Sequence, residues 1–128
     1  MRYTKQAQGD FEKALVKYKS FVEGELKPLK LSIENAARTN DRIDKFIDSL
    51  GFGMYCEEYI FCMADYVGKT INKDKEHAND YLQLLVLITS GYAKEHADCI
   101  SDDFKEMAIA VLKTYELNAL LDIVGDIF

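Results

Sequence analysis

From Phe11 to Leu50, apolar residues return in steps of mostly three or four: Phe11, Leu15, Tyr18, Val22, Leu26, Leu29, Ile33, Ala36, Ile43, Ile47 and Leu50. At ~100° per residue this set keeps to roughly half of a helix surface, so the stretch has to be helical and has to bury that side. No segment of the chain alternates with period two over the length of a strand, and the sequence predicts an all-α protein.

The single proline, Pro28, falls inside this register without shifting its phase. A proline ring within a helix collides with the carbonyl four residues back, which here belongs to Gly24. One straight helix over the whole region would be ~60 Å long at 1.5 Å per residue, more than the remaining chain could cover without a second subunit. The sequence therefore predicts a long first helical region, kinked or broken between Gly24 and Pro28.

Gly51, Phe52 and Gly53 end that region. A second helix is expected from Met54 to Val67, closed by Gly68, and a third from Asp74 to Asp98. After the turn at Cys99, Ile100 and Ser101, a last helix is expected to start with Ser101 as its cap, Asp102 and Asp103 in its first turn, and to run to Val124. The connections are short, which favours antiparallel neighbours and predicts a compact bundle of four to five helices. At 128 residues the chain is expected to form one α-helical domain over residues 1–128, with residues 1–9 loosely held.

The formal net charge is −6, with acids interspersed among 16 Lys and Arg, which argues against a nucleic-acid partner and for a well-solvated surface. No apolar run follows the first basic residues, so no secretory leader is expected. The longest apolar run, residues 84–88, is far below the ~20 residues of a membrane span, and no membrane association is expected. Three cysteines without metal-type spacing suit a reducing compartment, so the expected location is cytoplasmic and no cofactor is expected.

Residues 51–70 hold the densest chemistry. Gly68, Lys69 and Thr70 match the end of a phosphate-binding loop, but the glycine required five residues earlier is Met63 and a helix precedes it. Cys56 and Cys62 are too far apart along one helix to bridge, and read as packing residues. Wound as a helix, Tyr55, Tyr59, Ile60, Met63, Tyr66 and Val67 share one face. Glu57, Glu58 and Asp65 lie opposite, with Phe61 among them and Met54 beside it. An aromatic ringed by acids can anchor a partner; alternatively another helix covers Phe61 and the acids mark the edges. The chain has no Glu-x-x-His, which argues against a di-iron bundle.

His77 and His96 stand ~28 Å apart on the third helix and cannot share a metal. His96, one turn after Tyr92 and three residues before Cys99, could activate a thiolate, or could be a helix-end histidine bonded to a carbonyl or a tyrosine hydroxyl. In residues 117–128 the helical pattern changes. Leu117, Leu120, Leu121, Ile123 and Val124 surround the axis, followed by Ile127 and Phe128, and a segment apolar on every side must be covered on every side. Leu87, by contrast, falls on a polar side and reads as a lone exposed leucine.

Three functions are compatible with these patterns. The first is a non-catalytic interaction module of the adaptor, inhibitor or immunity type, binding another protein, of which a basic one would suit, or a second copy of itself. Its contact residues would be Phe61, Glu57, Glu58 and Asp65 together with Leu117, Leu120, Leu121, Val124 and Phe128. The second is a bundle holding a small molecule or metal among Tyr55, Tyr59, Tyr66, Tyr92, His96 and Cys99. The third is an enzyme using Cys99 and His96.

Overall fold

In the computed structural model residues 4–28 and 41–114 are described, so the apolar segment 117–128 expected as a contact surface lies outside the described residues. Helix α1 spans Thr4–Phe21 and buries Ala7, Phe11, Ala14, Leu15, Tyr18 and Phe21 along one side. Helix α1 begins at Thr4, Ala7 is fully buried, and the Tyr59 hydroxyl reaches across to the Gln6 carbonyl at 3.4 Å.

The helical region then continues into a π turn, Val22–Leu26, in which the Lys27 N–H donates to the Val22 carbonyl at 2.9 Å, five residues back. The interruption expected between Gly24 and Pro28 takes this form. A widened turn is a recurrent response to a residue that cannot continue the α-helical ladder, and Pro28 is such a residue.

Helix α2, Asp41–Leu50, buries Phe46 and Ile47, and the Phe46 ring stacks on Phe21 at 4.4 Å between centroids. Gly51 turns the chain with φ of +72°, a left-handed conformation that favours glycine. A 3₁₀ turn, Phe52–Met54, follows, and then Tyr55 and Cys56 in extended backbone. Helix α3 therefore runs Glu57–Lys73, rather than the Met54 to Val67 expected. It also passes through Gly68, which is exposed in its interior and closes nothing.

Helix α4 spans Ala78–Glu95 and helix α5 spans Asp102–Thr114. Both ends of α4 lie inside the expected Asp74 to Asp98. At its head the Asp74 carboxylate accepts from the His77 N–H at 3.3 Å; at its end the His96 N–H reaches the Tyr92 carbonyl at 3.0 Å. The Ser101 cap is present: its Oγ accepts from the Phe104 N–H at 3.2 Å, in the first turn of α5.

Five helices and no strand are present among the described residues, arranged as an all-α bundle. Helix α4 is its axis and packs against α1, α2, α3 and α5. Every residue from 82 to 90 is buried, so the apolar run 84–88 is covered on all sides. Leu87, expected to be exposed, is fully buried in this sheath. Each such leucine or isoleucine contributes ~1.5–3 kcal/mol by leaving water, which makes this one helix the main source of core burial. Three polar residues accompany it. The Tyr18 hydroxyl donates to Gln83 Oε1, and the Thr89 hydroxyl donates to the Leu85 carbonyl at 2.8 Å. The Ser90 hydroxyl is buried with no hydrogen-bond partner among the described residues.

Candidate functional site

The end of α2, the heads of α3 and α5 and the exit of α4 meet at one pole of the bundle, and Tyr55, Glu57, Glu58, Tyr92, His96 and Cys99 of the residues singled out in the sequence gather there. Glycine allows the elements to close in. A β-carbon on Gly91 would lie 2.7 Å from the Ile47 Cγ2, and one on Gly53 would lie 2.9 Å from the Glu95 Cβ. Beside them a cleft of about 340 Å³ is lined by Ile47, Asp48, Gly53, Met54 and Glu95. Among the described residues its lining includes two carboxylates and no lysine or arginine.

Met54 projects from the rim with 84% of its surface exposed, and the adjoining Tyr55 is 37% exposed. This projection is not loose. Tyr55 stacks on Tyr59 with ring centroids 4.5 Å apart and an interplanar angle of 12°, and Phe52 is buried beneath it. On its other side Tyr55 borders a shallower cleft of about 150 Å³ shared with Asp10, Lys13 and Lys17 of α1.

The three acids of α3 have separate tasks. Glu57, half-buried, accepts from both the Ser101 N–H, at 3.3 Å, and the Ser101 hydroxyl, tying the head of α3 to the head of α5. Glu58 is exposed. Asp65 is exposed and pairs with Lys69 one turn on, at 3.0 Å. Phe61 is half-buried, its ring 5.9 Å from Phe104 of α5, so a neighbouring helix covers part of it. Among the described residues the most exposed large apolar side chain is Met54, on the turn that precedes the helix.

The tyrosines expected to share a ligand site fall into two groups. Tyr59 and Tyr66 point to α1, where Tyr59 donates to Asp10 and Tyr66 to Glu12, the latter at 3.1 Å. Burial, and after it the Asp10 carboxylate, raises the Tyr59 phenol well above the ordinary range. Burial, with Glu12 adding to it, pushes Tyr66 up to about 12. Tyr92, His96 and Cys99 stay together at the pole. The Tyr92 ring lies 4.4 Å from the His96 ring and 4.8 Å from Phe104. Its phenol is raised by burial first, then by the nearby charges of Glu57, Cys99 and Cys56.

His96 is bonded to a carbonyl, as the structural alternative in the sequence had it: Nε2 lies 2.5 Å from the Gly53 oxygen, while Nδ1 lies 3.9 Å from the Cys99 sulfur. Among the described residues no group of three or more His, Cys, Asp and Glu is placed to hold a metal ion, and no helix is long and apolar enough to cross a membrane. Asp48 and Glu95 escaped notice in the sequence because they come from different helices, and no spacing rule joins them. Met54 carried a signal, since a methionine just after Gly51-Phe52-Gly53 sits where a turn would present it.

Compared with known proteins, the chain matches no family model, no curated protein and no solved structure.

Proposed function

We propose that this protein acts by binding another protein, without catalysing a reaction, through the pole that carries Met54 and Tyr55. The observation that supports this reading most is the 84% exposure of Met54 on a turn fixed by Gly51, the Tyr55–Tyr59 stack and the buried Phe52. An apolar side chain carried on a fixed turn binds without the cost of ordering the backbone beneath it, and Met and Tyr are enriched in interface cores. The adjoining cleft offers Asp48 and Glu95, neither of which is paired with a cation among the described residues, so the partner it suits is basic. A lysine or arginine of that partner would enter the cleft as Met54 docks, and the acidic rim, extended by Glu58, would speed association. Phe61 and Asp65 continue this edge along α3. The segment from Leu117 to Phe128 is a second contact surface under the same proposal, for this partner or a second copy of the chain. A cytoplasmic setting belongs to the same reading and rests on the three cysteines, which form no disulfide.

The test is a photo-crosslinking residue at position 54, with one at the exposed Asn72 at the far end of α3 as control. The partner captured from position 54 is then purified, and its affinity is measured with wild type, Met54→Glu and Tyr55→Glu. The proposal expects capture from position 54 and not 72, a tenfold or greater loss of affinity in both variants, and an unchanged melting temperature in Met54→Glu. Equal capture at both positions, or unchanged affinity, would overturn it.

A further inference from the structure

At the exit of α4, both nitrogens of the His96 ring are engaged. Nε2 lies 2.5 Å from the Gly53 carbonyl oxygen. A carbonyl only accepts, so Nε2 carries the proton, and in the neutral ring Nδ1 keeps its lone pair. That lone pair faces the Cys99 sulfur at 3.9 Å, within hydrogen-bonding reach for sulfur. The ring is held from its face by Tyr92 at 4.4 Å. Cys99 itself is exposed on the turn between α4 and α5. A thiol, a base that faces it and a third group that fixes the base make up the arrangement by which cysteines are activated. The titratable groups gathered beside this pair are the Tyr92 phenol on α4, and the Cys56 thiol and Glu57 carboxylate at the head of α3. Glu57 is engaged with Ser101. Interaction with a protein partner makes no use of this constellation.

We infer that Cys99 is a reactive thiol, activated by His96, and the site at which hydroperoxides oxidise this protein. Nδ1 takes the thiol proton, and the sulfur attacks the terminal peroxide oxygen. The S–O bond forms as the O–O bond breaks, and the leaving oxygen takes the proton from the imidazolium. Cys99 is oxidised to a sulfenic acid, and the hydroperoxide is reduced to an alcohol, or to water where it is hydrogen peroxide. The class of reagent follows from the setting. A thiol standing out on a turn meets small electrophiles that need no shaped pocket, and susceptibility to oxidation tracks thiolate character and exposure. Cys56 provides an internal comparison, being exposed with no histidine nitrogen within hydrogen-bonding reach of its sulfur among the described residues.

The experiment treats the reduced full-length chain at pH 7 with limiting hydrogen peroxide and dimedone. Adducts at Cys56, Cys62 and Cys99 are followed by peptide mass spectrometry in wild type and in His96→Gln, whose amide can still donate to Gly53. A free thiol is only a few per cent ionised at neutral pH, so a proton acceptor in place is expected to raise the rate by about tenfold. The adduct should form first at Cys99 and about tenfold more slowly there in the variant, with Cys56 unchanged. Equal rates in the two proteins, or faster labelling of Cys56, would overturn the inference. If the variant fails to fold by circular dichroism, the wild-type iodoacetamide rates at Cys99 and Cys56 at pH 7 decide. A rate at Cys99 about tenfold above that at Cys56 supports the pair, and equal rates overturn it.

Discussion

Ile47 stands so close to Gly91 that a β-carbon on residue 91 would lie 2.7 Å from the Ile47 Cγ2. Ile47 is β-branched, stiff at χ1 and buried, so it cannot easily yield. Gly91→Ala should therefore cost stability, with overpacking of ~1–3 kcal/mol outweighing the ~1 kcal/mol gained in helix propensity. Gly68→Ala should do the opposite and add ~0.5–1 kcal/mol, since nothing lies within 4 Å of that position. Urea titrations of the two variants check both signs. A stabilised Gly91→Ala would mean that α2 does not approach α4 as described, and adding Ile47→Ala should remove the penalty.

Ser101 and Glu57 form one capping unit for α5, and their variants should not be additive. Ser101→Ala should cost ~1 kcal/mol by uncapping the helix. Combined with Glu57→Ala, the loss should fall short of the sum by ~0.5 kcal/mol or more, because Glu57 accepts from Ser101 at two atoms. Simple additivity in a double-mutant cycle would show that the tie between α3 and α5 contributes nothing.

The Ser90 hydroxyl is buried and has no partner among the described residues. Replacing it removes a desolvation cost and improves helix propensity, so Ser90→Ala should raise stability by ~1 kcal/mol. A loss on thermal or urea unfolding would reveal a bond that the hydroxyl makes in solution.

Alkali should weaken the fold through Tyr66. Its folded pKa is pushed up to about 12 from an ordinary value of 10.0. Between these values the unfolded chain has lost a proton that the folded one retains, so the stabilisation is full below pH 10 and is lost as pH rises towards 12. Comparing urea midpoints at pH 9 and pH 11.5, Tyr66→Phe should show a fall smaller than wild type by ~1 kcal/mol. An equal fall would place the alkaline transition elsewhere, with Tyr59 as the next phenol to replace.

Much of the fold was legible because helical burial leaves a periodic trace. Phe11, Leu15 and Tyr18 announced α1, and Ser101 followed by two aspartates announced α5. The boundary near Met54 was not legible. The left-handed Gly51 launches a 3₁₀ turn and two extended residues before Glu57, and turn geometry of this kind rests on backbone angles that composition does not encode. The central place of α4 was legible in principle. A run apolar on every side must be covered on every side, and residues 84–88 are such a run, whereas the angular position of Leu87 alone puts it on the polar side. Of the candidate site, the nearness of His96 to Cys99 followed from spacing within one turn. Its bond to Gly53 and the meeting of Asp48 with Glu95 arise only when α2, α3 and α4 pack, and no local pattern carries them.

A helix sheathed by all its neighbours has no private route to water. The backbone amides of residues 84–90 can exchange with deuterium only when the whole bundle opens, so their exchange rates become a gauge of global unfolding, readable in native buffer without denaturant. The amides of α2 and α5, two of the helices that form that sheath, should exchange through smaller openings and mark the order in which the layers come away.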